Sequence, residues 1–215
     1  MREVARQRVA AAEAALAEKH QEIQVGETLF AFQELSSRGR QRFDLLLDPS
    51  DELLTSLVRE GPWVGLINEL LGEDVECDVS LIYSRPGAEA QEWHTDGAHL
   101  GKRAEWGASE CTPPYAICVF LALSQLSREV GFTQFWPGSH RSEGLAGFGG
   151  ASLALGTALD GMVAAPGGCI IYDYRLMHRG MPNESETTQR DILQFVYHAS
   201  WYKERKNYGS ESLFA

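Results

Sequence analysis

The sequence has few cysteines, and no two of them are closely spaced. Its 215 residues include four cysteines, and none of them forms a CxxC pair; they stand at Cys77, Cys111, Cys118 and Cys169. A disulfide framework or a structural zinc site needs denser and more regular cysteine spacing. We therefore expect reduced thiols in or near a core, as is usual in a reducing compartment.

A surplus of basic residues is also missing. Lysine and arginine number 19 against 30 aspartates and glutamates, so the formal charge is −11 at pH 7. Proteins that bind nucleic acids normally carry a basic surplus, because phosphate neutralisation supplies much of their affinity. The charge balance therefore argues against nucleic acid and against an anionic membrane surface as partners.

Long apolar runs are lacking as well. No segment approaches the roughly 18 consecutive apolar residues of a membrane-spanning helix. The chain starts MREVARQR and continues into an Ala- and Glu-rich stretch, rather than into the apolar core of a signal peptide. These features predict a cytoplasmic protein with no membrane partner. With neither an internal repeat nor a linker, the length suits a single domain over residues 1–215.

The first third of the chain has helical patterns. Within residues 3–23, Val9, Leu16 and Ile23 recur about every seven residues, which is typical of an amphipathic helix with a narrow apolar stripe. A second helical region is predicted from about residue 51 to residue 71. Helices are therefore expected up to about residue 72.

The rest of the chain, about residues 73–202, changes to strand-like patterns. Residues 75–83 alternate between apolar and polar side chains, with the period of two that a half-buried strand shows. Further short runs are separated by turns that contain glycine or proline; they span residues 91–95, 115–123, 131–136, 168–173 and 190–200. A helical part over about residues 1–72 followed by many short strands predicts an all-β core with a helical buttress, an α+β arrangement built on a jelly roll.

The strongest functional motif is His94-Thr95-Asp96. Alternate residues of a strand point to one face, so the imidazole of His94 and the carboxylate of Asp96 can aim at a single point. His178, at the end of a later predicted strand, adds a second imidazole, and two imidazoles with one carboxylate suit a divalent metal such as Fe(II). Arg190 opens the last predicted strand, where its guanidinium can bind a carboxylate through two parallel hydrogen bonds.

Together with the segment GFTQFWPGSH at residues 131–140, these residues resemble the motifs of the phytanoyl-CoA dioxygenase family. The resemblance covers about residues 75–200. It implies a cupin-like double-stranded β-helix and an enzyme that uses Fe(II), 2-oxoglutarate and O2. It also implies that His94, Asp96 and His178 ligate the iron and form the catalytic centre.

The resemblance further implies how the cosubstrate binds. Arg190 would hold the distal carboxylate of 2-oxoglutarate, and Thr133 would contribute a hydroxyl contact. Many relatives carry a serine two residues after the distal histidine, where this chain has Gly180, so the missing contact is expected from Thr133 or Tyr83. A second departure is Val130-Gly131-Phe132, where many relatives have Asn-Gly-Pro.

The expected reaction is hydroxylation, or a related desaturation or cyclisation, of an unactivated C–H bond in a small organic metabolite, with release of succinate and CO2. Halogenation is disfavoured, because Asp96 keeps the ligand position that a halide would need. Substrate contacts are expected from His99 and Trp106, in a long loop over residues 97–114. This loop and a second one over residues 142–161 are either lids or disordered segments. The sequence leaves the substrate and the oligomeric state open.

Two other functions are compatible with the same residues. A zinc- or manganese-dependent cupin-type enzyme could use His94, Asp96 and His178 with one open position for water. That function leaves Arg190 unexplained except as the partner of an ion pair. A non-catalytic cupin-like binding protein could retain the pocket without turnover.

Overall fold

The computed structural model describes residues 1–98, 113–141, 157–203 and 207–215. The helices within these ranges are α1 (Arg2–Lys19), α2 (Glu52–Glu60) and α3 (Val64–Leu71), and one turn of 3₁₀ helix covers Ser139–Arg141. The strands within them are β1 (Leu35–Gly39), β2 (Arg42–Leu47), β3 (Val75–Ser84), β4 (Ala116–Ala122), β5 (Thr133–Phe135), β6 (Leu159–Gly161), β7 (Cys169–Asp173), β8 (His178–Gly180) and β9 (Arg190–Ala199).

The strands form two antiparallel sheets. The larger sheet has the order β1-β2-β3-β9-β4-β7, and the smaller one has the order β6-β5-β8. Strands far apart in sequence are neighbours in space, as β3 and β9 are along their whole lengths. This topology is that of the double-stranded β-helix that the resemblance implies.

The two faces of the larger sheet have different environments. On one face, Leu81 of β3 and Phe195 of β9 belong to a core cluster that also contains the buried side of α1. Helix α1 buries Val9 and Leu16 there, as the predicted apolar stripe requires. On the opposite face, Phe120 packs with residues of the smaller sheet. The helices therefore cover one face of the sheet and leave the other to the interior between the two sheets.

The expectation of a purely helical segment up to residue 72 is wrong for part of that range. Between α1 and α2 the chain forms the hairpin β1–β2, which joins the larger sheet at its edge. The hairpin forms because Phe43 and Leu45 bury their side chains in the core behind β3. The tight connection places Gln41 at a positive φ of 54°. The predicted helix over residues 51–71 is two helices, separated by a break at Gly61 and Pro62.

The remaining predicted strands agree with the structure except for residues 91–95, where only an isolated bridge forms, between His94 and His178. The short strands β6 and β8 were not predicted. Most of the long loops predicted over residues 97–114 and 142–161 lies outside the described residues, and the end of the second loop is β6. None of the described helices combines the length and the apolarity needed to cross a bilayer.

Candidate active site

Two histidines meet where β8 pairs with the segment before Asp96. The backbone N–H of His94 donates to the carbonyl of His178 at 3.0 Å, and the N–H of His178 donates to the carbonyl of His94 at 2.8 Å. This pair of hydrogen bonds sets the two imidazoles side by side, with ring centroids 4.5 Å apart. Asp96, two residues after His94, reaches the same place, so that the three side chains can offer ligand atoms within 4.8 Å of one another.

Backbone contacts orient both imidazoles. Nδ1 of His94 lies 2.8 Å from the carbonyl oxygen of Glu92, and Nδ1 of His178 lies 2.9 Å from that of Leu176. A carbonyl oxygen only accepts, so Nδ1 carries a hydrogen in each ring, and Nε2 is the nitrogen left to face a metal. The Nε2 atoms face Asp96, at 3.9 Å from Oδ1 for His94 and 3.4 Å from Oδ2 for His178.

Electrostatics favour the neutral imidazole of His94. Burial and the neighbouring His178 lower the pKa of His94 below its ordinary value. A neutral imidazole with its Nε2 lone pair exposed is the form that ligates a metal, and a hydrogen bond from the other nitrogen is the usual support. Two such nitrogens and one carboxylate match the donor set of a non-haem Fe(II) site.

Three polar residues form a row across the larger sheet in the same pocket. The strand registers pair Arg42 of β2 with Ser84 of β3, and Ser84 with Arg190 of β9. Directly paired residues share a face, so the three side chains point together into the space between the sheets. Both guanidinium groups donate to the same hydroxyl oxygen: Nη1 of Arg42 at 3.1 Å and Nη2 of Arg190 at 2.9 Å from Ser84 Oγ.

Arg190 is almost wholly buried, with 1% of its surface exposed. Its Nη1 donates to the carbonyl of Phe132 at 3.3 Å, whereas its Nε has no hydrogen-bond partner within the structure described. Burial, and then the charge of Arg42, lower the pKa of Arg190 well below its ordinary value. An unpaired buried guanidinium is costly, so the site is built to receive an anion.

Thr133 lines the same pocket as Arg190 and the three candidate ligands. It is buried on β5, directly opposite Gly180 on β8. The preceding turn requires a glycine: Gly131 has a φ of 85°, and a Cβ there would lie 2.5 Å from the carbonyl oxygen of Pro182. A glycine in this turn lets the chain pass close beside Arg190 before Thr133 enters the sheet.

Tyr83 does not line this pocket, and the expectation that it contacts the cosubstrate is corrected. It occupies the helix-covered face of β3, with none of its surface exposed. Its hydroxyl donates to Glu13 of α1 at 3.0 Å, and Glu13 also pairs with Arg85. Since side chains alternate along a strand, Tyr83 points away from the face that carries its neighbour Ser84.

His99 and Trp106, the expected substrate contacts, lie outside the described residues. Arg42, Asp44 and Gln91 also line the pocket, and none of the three was predicted as a site residue. No local motif marks these residues, because strand pairing with β3 brings Arg42 and Asp44 to the site from a part of the chain predicted to be helical. Only a prediction of the β1–β2 hairpin could have placed Arg42 and Asp44 at this site.

Comparison with known proteins shows which family model and which solved structures the chain is similar to. Residues 3–191 match the family model described as phytanoyl-CoA dioxygenase. The crystal structure of AviO1 from Streptomyces viridochromogenes Tue57 is similar in fold, with a TM-score of 0.59 at 16% identity over 92% of this chain and 87% of that one. The α-ketoglutarate-dependent epimerase SnoN from nogalamycin biosynthesis gives a TM-score of 0.55 at 18% identity, over 89% and 71% of the two chains.

A further similar structure is EctD from S. alaskensis with 2-oxoglutarate and 5-hydroxyectoine, with a TM-score of 0.56 at 18% identity over 94% of this chain and 70% of that one. These structures confirm the predicted fold, and the family match confirms the predicted family and enzyme class. Fe(II), 2-oxoglutarate and O2 are the cofactor and cosubstrates of that class. This chain belongs to the phytanoyl-CoA dioxygenase family of Fe(II)- and 2-oxoglutarate-dependent oxygenases.

Proposed function

We propose that this enzyme hydroxylates, or oxidises in a related way, an unactivated C–H bond of a small organic metabolite. The observation that carries the proposal is a single pocket that joins two kinds of group. The cluster of His94, Asp96 and His178 offers metal ligands, and Arg190 offers a buried guanidinium with an unpartnered Nε. A metal-chelating 2-oxo acid with a second carboxylate needs both.

The three candidate ligands have separate parts in this proposal. His94 and His178 would hold Fe(II) through Nε2, and Asp96 would hold it through its carboxylate, which leaves three coordination positions open. When bound, the iron and 2-oxoglutarate supply the oxidising chemistry, in which O2 is consumed and succinate and CO2 are released. The backbone carbonyls at Glu92 and Leu176 keep both imidazoles oriented throughout, because they hold the Nδ1 hydrogens.

Arg190 and Thr133 would orient the cosubstrate. The guanidinium of Arg190 can donate two parallel hydrogen bonds to a carboxylate, which fixes both its position and its plane. The hydroxyl of Thr133 lies on the opposite sheet of the same pocket and can donate to the same ligand. Holding the distal carboxylate would place the 2-oxo acid end toward the metal cluster, where bidentate chelation requires it.

The substrate would enter from an adjoining cavity. A cavity of about 670 Å³ borders the pocket and shares Asp44, Gln194 and Asn207 with it. Polar side chains dominate the shared wall, and the hydroxyl of Tyr208 donates to Asp44 at 2.8 Å. The size fits a small molecule, and the polar wall favours one that carries hydrogen-bonding groups.

The two alternative functions remain weaker. A zinc- or manganese-dependent enzyme could use the same three ligands, but it gives the buried Arg190 no partner. A non-catalytic binding protein would retain cosubstrate binding without oxidation. Purified protein supplied with Fe(II), 2-oxoglutarate and O2 should release succinate, and omission of either Fe(II) or 2-oxoglutarate should abolish the release. Turnover of a substrate by the Zn(II) form without succinate would contradict the proposal.

A further inference from the structure

Arg42 is a second buried arginine at the proposed cosubstrate site. Only 2% of its surface is exposed, because its guanidinium lies in the interior between the two sheets. Its guanidinium donates to three neutral acceptors: Ser84 Oγ, the carbonyl of Glu89 at 2.9 Å and the carbonyl of Met181 at 3.0 Å. Structural needs alone, such as tying the segment after β8 to the sheet, do not require a full positive charge here.

Within the described residues, the two guanidinium charges are only partly offset, by the charge of Asp191 acting on Arg190. Among the described residues, no carboxylate forms an ion pair with Arg42 or Arg190. Asp44 pairs with Arg38 at 3.8 Å, and Asp96 belongs to the metal cluster. Two buried guanidinium groups that share Ser84 repel each other, and an anion between them would offset this repulsion.

The position opposite Thr133 shows how Arg42 is accommodated. A Cβ added at Gly180 would lie 2.6 Å from both Arg42 Nη1 and Gln91 Oε1, so the ends of both side chains would have to move. The glycine on β8 thus leaves the space into which the guanidinium extends. Gly180 follows the candidate ligand His178 by two residues and pairs directly with Thr133 of β5.

We propose that Arg42 and Arg190 together clamp the distal carboxylate of the 2-oxo acid cosubstrate, with Arg42 occupying the space that the absent side chain of residue 180 leaves open. The inference rests on the proposed function. Each arginine contributes charge-assisted hydrogen bonds to one carboxylate group, and Ser84 holds the two guanidinium groups in register. The pair would make the enzyme strongly selective for a dicarboxylic 2-oxo acid.

Ligand binding to the Mn(II)-loaded full chain tests this role without any turnover. Dissociation constants are measured by calorimetry for 2-oxoglutarate and for 2-oxovalerate, which has a methyl group in place of the distal carboxylate. In Arg42→Gln, which keeps an amide donor for the backbone carbonyls, the preference for 2-oxoglutarate should fall about 10- to 100-fold. The affinity for 2-oxovalerate and for Mn(II) should stay within about twofold of wild type, because neither ligand meets the lost charge.

Arg179→Ala is the matched control. Arg179 neighbours both His178 and Gly180, but its guanidinium stacks on Trp93 and donates to Gln134 outside the pocket. This variant should keep the wild-type preference. Arg42→Lys should lie between wild type and Arg42→Gln, since it retains the charge and loses the fork.

Equal weakening of both 2-oxo acids in Arg42→Gln would show a merely structural role and overturn the inference, as would an unchanged preference. If Arg190→Ala abolishes the preference while Arg42→Gln retains it, the proposed function survives and the clamp does not. If the wild-type protein binds neither 2-oxo acid, the proposed function fails as well. Circular dichroism and melting of each variant confirm that the fold is retained.

Discussion

His94, Asp96 and His178 differ in how far their side chains reach solvent, with exposures of 30%, 10% and 6%. Replacement of each by alanine should abolish Fe(II) binding and turnover, because a facial site that loses one of three ligands loses most of its affinity. The fold should survive, most fully in His94→Ala, the most exposed of the three. Metal titration and thermal melting check both expectations.

His20→Ala provides a matched control for these variants. His20 ends α1, where it pairs with Glu22 and packs on Phe32, and it does not line the pocket. Its removal should leave metal affinity unchanged. Wild-type metal affinity and full 2-oxoglutarate turnover in Asp96→Ala would contradict the ligand assignment.

Arg190→Ala should raise the KM for 2-oxoglutarate by one to three orders of magnitude, on the order of 1.5–4 kcal/mol for the loss of a charge-paired carboxylate. Arg190→Lys should fall in between, because lysine keeps the charge without the planar fork. Steady-state kinetics at saturating Fe(II) measure the effect, and metal affinity without cosubstrate should change little.

Tyr83→Phe is the informative comparison for Arg190→Ala. The sequence suggested a cosubstrate contact for Tyr83, and the structure gives its hydroxyl to Glu13 instead. The variant should therefore keep the wild-type KM and lose about 0.5–1.5 kcal/mol of unfolding free energy. A KM raised as far as in Arg190→Ala would contradict the placement of Tyr83 on the helix-covered face.

At the scale of elements, the strands β3, β4, β5, β7 and β9 were predictable, and β6, β8 and the hairpin β1–β2 were not. β3 could be predicted because its alternation persists over ten residues, and one side of it faces a continuous apolar core. β6 and β8 span three residues each, which is too short for a period of two to be recognised. The hairpin β1–β2 was not predicted because the run RFDLLL alternates over only four residues before it ends in three leucines, and LSSRG in β1 contains a single apolar residue.

Helix α1 is held on the sheet by its buried side chains. Leu16 has no exposed surface and packs in the core cluster that contains β3 and β9. Leu16→Ala should lower the free energy of unfolding by about 2–5 kcal/mol. Leu53→Ala, at a helical position with 44% exposure, should change it by less than about 0.5 kcal/mol. Urea denaturation measures both, and equal effects would contradict the assigned packing of α1.

A buried imidazole joins β9 to β3. His198 places Nε2 at 3.2 Å from Asp78 Oδ2 and Nδ1 at 3.2 Å from the carbonyl of Ala199, so both nitrogens face acceptors, as in the protonated ring. Burial opposes that charge, but the hydrogen bond to Asp78, the carbonyl of Ala199 and the charges of Asp78 and Glu76 outweigh it and raise the pKa of His198 above 6.5.

This raised pKa gives the pair a defined pH dependence. A group whose pKa is higher in the folded state contributes stability that is complete below its unfolded pKa, about 6.5, and is lost as pH rises through the folded value. The destabilisation caused by Asp78→Asn should therefore be largest in acid and shrink above neutral pH. The effect should be small, because Asp78 is half exposed. A difference in unfolding free energy that is constant from pH 5.5 to 8.5 would exclude this role.

At the scale of the whole molecule, the sequence predicted residues that share one pocket but not the arginine and serine beside them. His94, Asp96, His178, Arg190 and Thr133 were brought together by motif spacing and family resemblance, and the structure places all five in one pocket. Arg42 and Ser84 were missed because the row they form with Arg190 depends on the registers of three strands. A register is set by the packing of whole faces, so no local pattern around residue 42 could reveal it.

Metal and cosubstrate should stabilise the whole fold, because they bind the assembled pocket and not the unfolded chain. At about 100 times its dissociation constant, a ligand adds about 2.7 kcal/mol, which corresponds to a rise in Tm of roughly 5–10 °C for a chain of this size. Mn(II) with 2-oxoglutarate should produce this rise in wild type, and a chelator should reverse it. In Asp96→Ala the shift should be absent, and its persistence there would point to a binding site elsewhere.

The most direct test of the account is an anaerobic titration of the Fe(II)-loaded protein with 2-oxoglutarate, followed by visible absorption. Chelation of Fe(II) by the 2-oxo acid should produce a charge-transfer band that saturates at one equivalent of cosubstrate. Asp96→Ala should show no band, and Arg190→Ala should show the same band at a much higher cosubstrate concentration. Absence of the band in wild type, or an unaltered titration in Arg190→Ala, would contradict the proposed joining of metal and cosubstrate in this pocket.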